Sequence, residues 1–121
     1  MAKILIVDDE HMTTEMLSTF LRIIGHESLD AYSSKQAWDK LAFEKPDAIL
    51  LDIMLPDVNG LDMCRQLRKN PQTAAVPIIM ISAYAPPLTK EADEAGANAY
   101  LVKPISLQNL KSTLVNVGIK T

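Results

Sequence analysis

Short apolar runs alternate with helical periodicities along the whole chain. Lys3 to Val7 is an unbroken apolar run that stops at Asp8-Asp9-Glu10, the pattern of a strand covered on both faces. From Thr13, Leu17, Phe20, Leu21 and Ile24 recur at helical spacing, and Gly25 closes that helix. His26 to Tyr32 is a more polar run, suited to a strand at a sheet edge. Ser33 or Ser34 then caps a helix with Ala37, Trp38, Leu41 and Ala42 on one face, which Pro46 stops. The next apolar run, Ala48 to Leu51, ends abruptly in Asp52. Pro56, Asn59 and Gly60 mark a loop before a helix over Gly60 to Lys69, with Leu61, Cys64, Leu67 and Arg68 along one side. Ile78 to Ile81 is a fourth strand, terminated by Ser82. Leu88 to Ala95 forms a short helix, Ala99 to Val102 a last strand before Lys103-Pro104, and Ser106 to Val117 a last helix through Leu107, Leu110 and Leu114.

The order is strand then helix, five times over. Alternating elements of these lengths predict an α/β fold, a parallel sheet with helices on both faces and right-handed crossovers. The expected architecture is a (βα)5 doubly wound, flavodoxin-like sheet with strand order 2-1-3-4-5, formed by residues 1–121 as one domain. That order puts the first and third strands at the switch point of the winding, so Asp8-Asp9 and Asp52 face one crevice.

Composition narrows the function. With 121 residues, 48% of them hydrophobic, the chain suits one core, and a net charge of -3 argues against a broad nucleic-acid surface. No apolar run approaches the roughly 18 to 20 residues of a membrane span. Cys64 is the only cysteine, which excludes an internal disulfide and fits a reducing compartment, with the cytoplasm as the expected location.

Four of the five strands end in a polar group: Asp8-Asp9, Asp52, Ser82 and Lys103. In a parallel sheet these side chains converge on one rim. Clustered carboxylates repel by several kcal/mol each at an effective dielectric near 20, so they must take up protons or a cation. An all-oxygen cluster suits Mg2+, with Mn2+ as a substitute. A divalent ion, a lysine, a hydroxyl and a free carboxylate together form a site for phosphoryl transfer. Asp52, alone on the central strand, is the candidate nucleophile, and Asp8-Asp9 the candidate metal pair.

Taken in order, Val7-Asp8-Asp9-Glu10, Leu51 to Pro56 with Gly60, Ile81-Ser82-Ala83 and Tyr100 to Pro104 resemble the receiver domain of two-component response regulators, over nearly the whole chain. The resemblance implies that Asp52 accepts phosphate from a sensor histidine kinase or phosphotransfer protein. It implies Mg2+ bound by Asp9 directly, by Asp8 through water, by Asp52 and by the Met54 carbonyl. Lys103, Ser82 and the backbone amides of Met54 and Ala83 would hold phosphoryl oxygens. Ser82 and Tyr100 would form a switch pair, and the Lys103–Pro104 peptide would be cis. Output to a downstream effector protein or output domain would pass through the fourth helix, last strand and last helix, with a phosphorylation-dependent homodimer as a further expectation. No turnover of an external substrate, no direct nucleic-acid contact and no membrane association are implied.

Other readings compete. Glu10 is expected to serve the first helix dipole, and Asp57 and Asn59 the loop or the start of the next helix. A receiver-like interaction module acting without phosphorylation is the alternative function, opposed by the intact set Asp9, Asp52, Ser82 and Lys103. A phosphatase of the haloacid dehalogenase type needs a second Asp two positions after the nucleophile, where this chain has Met54. A flavin-binding relative would need a phosphate cradle after the first strand, where this chain has carboxylates. Pro86-Pro87 should stiffen the loop after the fourth strand. Tyr84 and Met54 flank the acceptor, where their bulk should slow an attacking water.

Overall fold

Successive residues of a strand point to opposite faces, so each buried strand here splits its side chains between two layers. The computed structural model describes residues 1–121. Its strands are β1 (Lys3–Val7), β2 (Glu27–Ala31), β3 (Ala48–Asp52), β4 (Ile78–Ser82) and β5 (Ala99–Val102). The helices are α1 (His11–Ile23), α2 (Ser34–Leu41), α3 (Gly60–Lys69), α4 (Thr89–Glu94) and α5 (Leu107–Asn116). All pairings are parallel, in the order β2-β1-β3-β4-β5. Leu5, Val7, Ile49, Leu51, Ile78 and Met80 pack with Ala37 of α2, Cys64 and Leu67 of α3 and Ala92 of α4. Ile4, Ile6, Leu50, Ile79 and Ile81 pack with Leu17 and Leu21 of α1 and Leu110 and Leu114 of α5.

β3 and β4 are buried at every position, whereas β2 is half-exposed, as its polar sequence predicts for an edge. Boundaries differ from the periodicity by a residue or two. α1 starts at His11 rather than Thr13, because Glu10 takes the cap position and its amide donates to Asp8 Oδ1 at 2.9 Å. Ser33, not Ser34, caps α2, accepting the Gln36 amide at 3.1 Å. α4 is shorter than expected, with Leu88 and Ala95 as its caps. His26 is structural: it is buried, and Nδ1 accepts the Ala2 amide at 2.9 Å.

Two glycines hold the chain by different means. Gly25 sits at φ +90°, the left-handed conformation that ends α1, with open space where a side chain would go. Gly60 has an ordinary backbone, but a Cβ there would lie 2.0 Å from the Asp52 carbonyl oxygen. The Gly60 amide donates to Ile53 O at 2.7 Å, closing the loop directly behind the end of β3. Gly25→Ala should therefore cost about 1 to 2 kcal/mol through backbone strain alone. Gly60→Ala should cost more, on the order of 3 kcal/mol, because backbone must move. Urea midpoints of the two variants give the comparison.

Candidate functional site

The parallel register brings the ends of β1, β3, β4 and β5 within two residues of one another. Asp52 lies beside Ile81, Ser82 beside Val102, and the Lys103 amide donates to Ser82 O at 2.8 Å. Lys103 therefore leaves the end of β5 with its side chain running back across the rim. Its Nζ stands 2.8 Å from Asp8 Oδ2, 2.8 Å from Glu10 Oε1 and 3.1 Å from Asp52 Oδ2. The last two contacts have hydrogen-bond geometry. The Asp8 contact is an ion pair at hydrogen-bond distance but off its direction, so the fully buried Asp8 Oδ2 has a charge partner and no hydrogen-bond donor.

Carboxylate oxygens of Asp8, Glu10 and Asp52 lie within 4.8 Å of one another. Three carboxylates against one ammonium leave a deficit of two positive charges, in a pocket where Asp8 and Asp52 are nearly dry. The ionisation of Asp52, Lys103 and Glu10 follows from these contacts. Burial first, then the charge of Asp8, pushes Asp52 up to about 6, against the opposing pull of Lys103 and the Met54 amide. Burial alone would weaken the Lys103 ammonium, but the three carboxylates outweigh it and raise its pKa. Glu10 is held below the usual carboxylate range by its hydrogen bond to Lys103.

The remaining site residues fall around this cluster. Asp52 Oδ1 accepts the Met54 amide at 3.2 Å, while the Met54 side chain is exposed. Ser82 is fully buried at the end of β4, and its Oγ accepts the Tyr84 amide at 3.0 Å. Tyr100 is half-buried against the layer of α2, α3 and α4, and its hydroxyl accepts the Leu88 amide at 3.1 Å. Tyr84 and Met54 line a shallow depression formed otherwise by the loop that follows Asp52. The Lys103–Pro104 peptide is cis, as is Ala85–Pro86.

Three placements differ from what the residues suggest singly. Asp9 is exposed and contributes no oxygen to the cluster, which Glu10 joins instead. Glu10 suits a charge at a helix end, yet its carboxylate is bound to a lysine 93 positions away. No periodicity marks such a contact. Asp57 does not serve the helix that follows: its carboxylate accepts the Ser34 and Lys35 amides, both at 3.0 Å, at the start of the preceding α2. Asn59 caps α3 as expected, accepting the Leu61 amide at 2.8 Å.

The cluster fits a hard divalent cation. Its donors are all oxygen, its charge is short by two, and the buried Asp8 Oδ2 accepts no hydrogen bond. Besides Asp8, Glu10 and Asp52, the Met54 carbonyl and Asp9 belong to the same two loops.

Known proteins agree with this geometry. A family model described as the response regulator receiver domain matches residues 4–115. The phosphate regulon transcriptional regulatory protein PhoB of Pseudomonas aeruginosa is 40% identical over 119 residues, covering 98% of this chain and 52% of that protein. The chain thus spans about half the length of that relative. A response regulator structure from Chloroflexus aurantiacus superposes with a TM-score of 0.90 at 36% identity, covering 96% of each chain. The receiver domain of a sensor histidine kinase from Pseudomonas aeruginosa superposes with a TM-score of 0.86 at 29% identity, covering 97% of this chain and 98% of that one; it holds a magnesium ion in its active site cleft. Strand order, the carboxylate–lysine rim and these matches lead to one assignment: the chain belongs to the response regulator receiver domain family of two-component signalling.

Proposed function

We propose that Asp52 is the phosphoacceptor, taking a phosphoryl group from a sensor histidine kinase or phosphotransfer protein in a Mg2+-dependent step. The observation that carries this reading is the position of Asp52: last residue of the central strand, almost buried, with Lys103 Nζ at 3.1 Å. A carboxylate oxygen of Asp52 attacks phosphorus in line, forming an acyl phosphate as the bond to the donor nitrogen breaks. Asp8, Asp9, Asp52 and the Met54 carbonyl would hold Mg2+ or, as a substitute, Mn2+, with Glu10 as a further oxygen at the rim. When bound, the ion neutralises the approaching phosphoryl oxygens. Lys103 is already charged and positioned to pair with a phosphoryl oxygen, and the amides of Met54 and Ala83 and the Ser82 hydroxyl supply donors.

The chemistry stops at a phosphorylated protein rather than at a released product. Met54 stands where a phosphatase acid would be, and a thioether moves no proton. The phosphoryl group adds close to two negative charges to a rim already short of positive ones. Drawing the Ser82 hydroxyl towards them costs it the present bond to the Tyr84 amide and releases the loop between β4 and α4. Tyr100, which holds Leu88 in that loop, would carry the change to the face of α4, β5 and α5. Turning a mostly inactive population into a mostly active one takes about 5.5 kcal/mol, within reach of a few charge-assisted hydrogen bonds. A downstream effector, an output domain or a second phosphorylated copy would read that face, in the cytoplasm and without direct nucleic-acid contact by this chain. No helix is long and apolar enough to cross a membrane.

Incubation with Mg2+ and acetyl phosphate should add one phosphoryl group, detected by intact mass. Asp52→Asn, or chelation of Mg2+, should abolish the adduct; a wild-type protein that stays unmodified would instead support a module acting without phosphorylation. Tyr84→Ala should shorten the lifetime of the adduct severalfold by opening a path for water, and equal decay rates would remove that role for Tyr84. A stability measurement probes the acceptor without phosphate. Because folding raises the Asp52 pKa from 3.8 to about 6, the native state holds this proton more tightly than the unfolded chain. Stability from this group is thus complete below about pH 4 and lost as the pH rises through 6. In chelator, Asp52→Asn should be the more stable protein at pH 8, by on the order of 3 kcal/mol at most. The gap in urea midpoints should close towards pH 4.

A further inference from the structure

The loop that links β3 to α3 carries the Met54 backbone, yet little in the loop itself holds its tip. Pro56, Asp57 and Val58 are exposed, and only Leu55 packs partly against the core. The base is closed by the Gly60 amide on Ile53 O and by an antiparallel bridge between Met54 and Asn59. The tip is tied elsewhere. Asp57 Oδ1 accepts the Ser34 amide and Oδ2 the Lys35 amide, both at 3.0 Å and more than twenty positions away in the chain.

Those two amides belong to the first turn of α2, where backbone donors lack partners inside the helix. Ser33 takes the next two, through Oγ to the Gln36 amide and through its carbonyl to the Ala37 amide. One helix end is thus satisfied by two residues of different reach: Ser33 locally, and Asp57 from the loop beside the acceptor. The carboxylate is committed to this arrangement: although burial opposes it, the Ser34 and Lys35 amides hold Asp57 below the ordinary carboxylate range. A bidentate anchor on two fixed amides restricts the loop to one position, as supporting residues around a metal ligand do.

We propose that Asp57 is a positioning residue of the acceptor site: by fastening the tip of the 53–60 loop to the first turn of α2, it sets the Met54 amide against Asp52 and the Met54 carbonyl towards the cation site. The inference deepens the phosphoacceptor reading of Asp52 and rests on it. Ser33 provides a matched control, because Ser33→Ala weakens the same helix end without touching the loop. In Mg2+-free protein, Asp57→Ala should speed hydrogen exchange of the Met54 amide, while Ser33→Ala should leave it unchanged. Titrated with Mg2+ alone, Asp57→Ala should bind about tenfold more weakly than wild type, and Ser33→Ala equally well. If Asp57→Ala does not fold, Asp57→Asn keeps the volume and one acceptor, and it should shift both readouts in the same direction. Unchanged Met54 exchange in the Asp57 variant, or equal shifts in the Asp57 and Ser33 variants, would overturn the proposal. A wild-type protein that binds Mg2+ but takes no phosphoryl group would sink the parent reading and leave the exchange comparison intact.

Discussion

One ammonium group facing three carboxylates is the constraint around which this molecule is built. Lys103 Nζ holds Asp8, Glu10 and Asp52 together from the far end of the sheet, and the arrangement remains two charges short. At separations near 4 Å, each unpaired carboxylate contact costs several kcal/mol even at an effective dielectric of 20. A fold that merely needed to be stable would replace such a cluster with packed apolar side chains, often at no loss. Its presence at the end of a buried strand therefore points to use. The raised pKa of Asp52 comes first from burial and then from the charge of Asp8, and a divalent cation would offset both.

The sheet supplies the precision. β1, β3, β4 and β5 end within two residues of one another in register, so residues 8, 52 and 103 meet although they are far apart in the chain, with Ser82 ending the strand between those of Asp52 and Lys103. Two backbone devices then shape the acceptor loop. Gly60 lets α3 start directly against the Asp52 carbonyl, where no Cβ fits. Asp57 ties the other end of the loop to α2. At the β2 side the His11 and Tyr32 rings stack with centroids 4.0 Å apart, joining the start of α1 to the residue after β2. The loop after β3 is thus attached to the start of α2, and the loop after β2 to the start of α1.

The segment between β4 and α4 is held differently. Its polar attachments to the switch candidates are single hydrogen bonds, Tyr84 amide to Ser82 Oγ and Leu88 amide to Tyr100 Oη. Each is worth about 1 kcal/mol, small against the effect of two added negative charges a few ångströms away. In the proposed cycle the rigid parts of the rim hold the phosphoryl group and the weakly held part responds. The turn after α4 is tied more heavily, since the Arg68 guanidinium donates to Gly96 O at 2.8 Å, Val76 O at 2.7 Å and Asn98 Oδ1 at 2.6 Å.

The amino-acid order by itself determined the ten elements, their alternation and the strand order, because fully buried strands and amphipathic helices have different periods and Gly and Pro mark where each must stop. It also identified Asp8, Asp52, Ser82 and Lys103 as rim residues, since each directly ends a strand. Side-chain direction was beyond its reach. Asp9 and Glu10 are neighbours with the same charge, and only the position of Lys103 brings Glu10 rather than Asp9 into the carboxylate cluster. Likewise Asp57 reads as a loop residue ahead of α3, and only the approach of α2 in space turns it into a cap for a helix that precedes it. Local pattern reports the conformation of the backbone; which charges meet depends on contacts between loops distant in sequence, and those exist only once the sheet has formed.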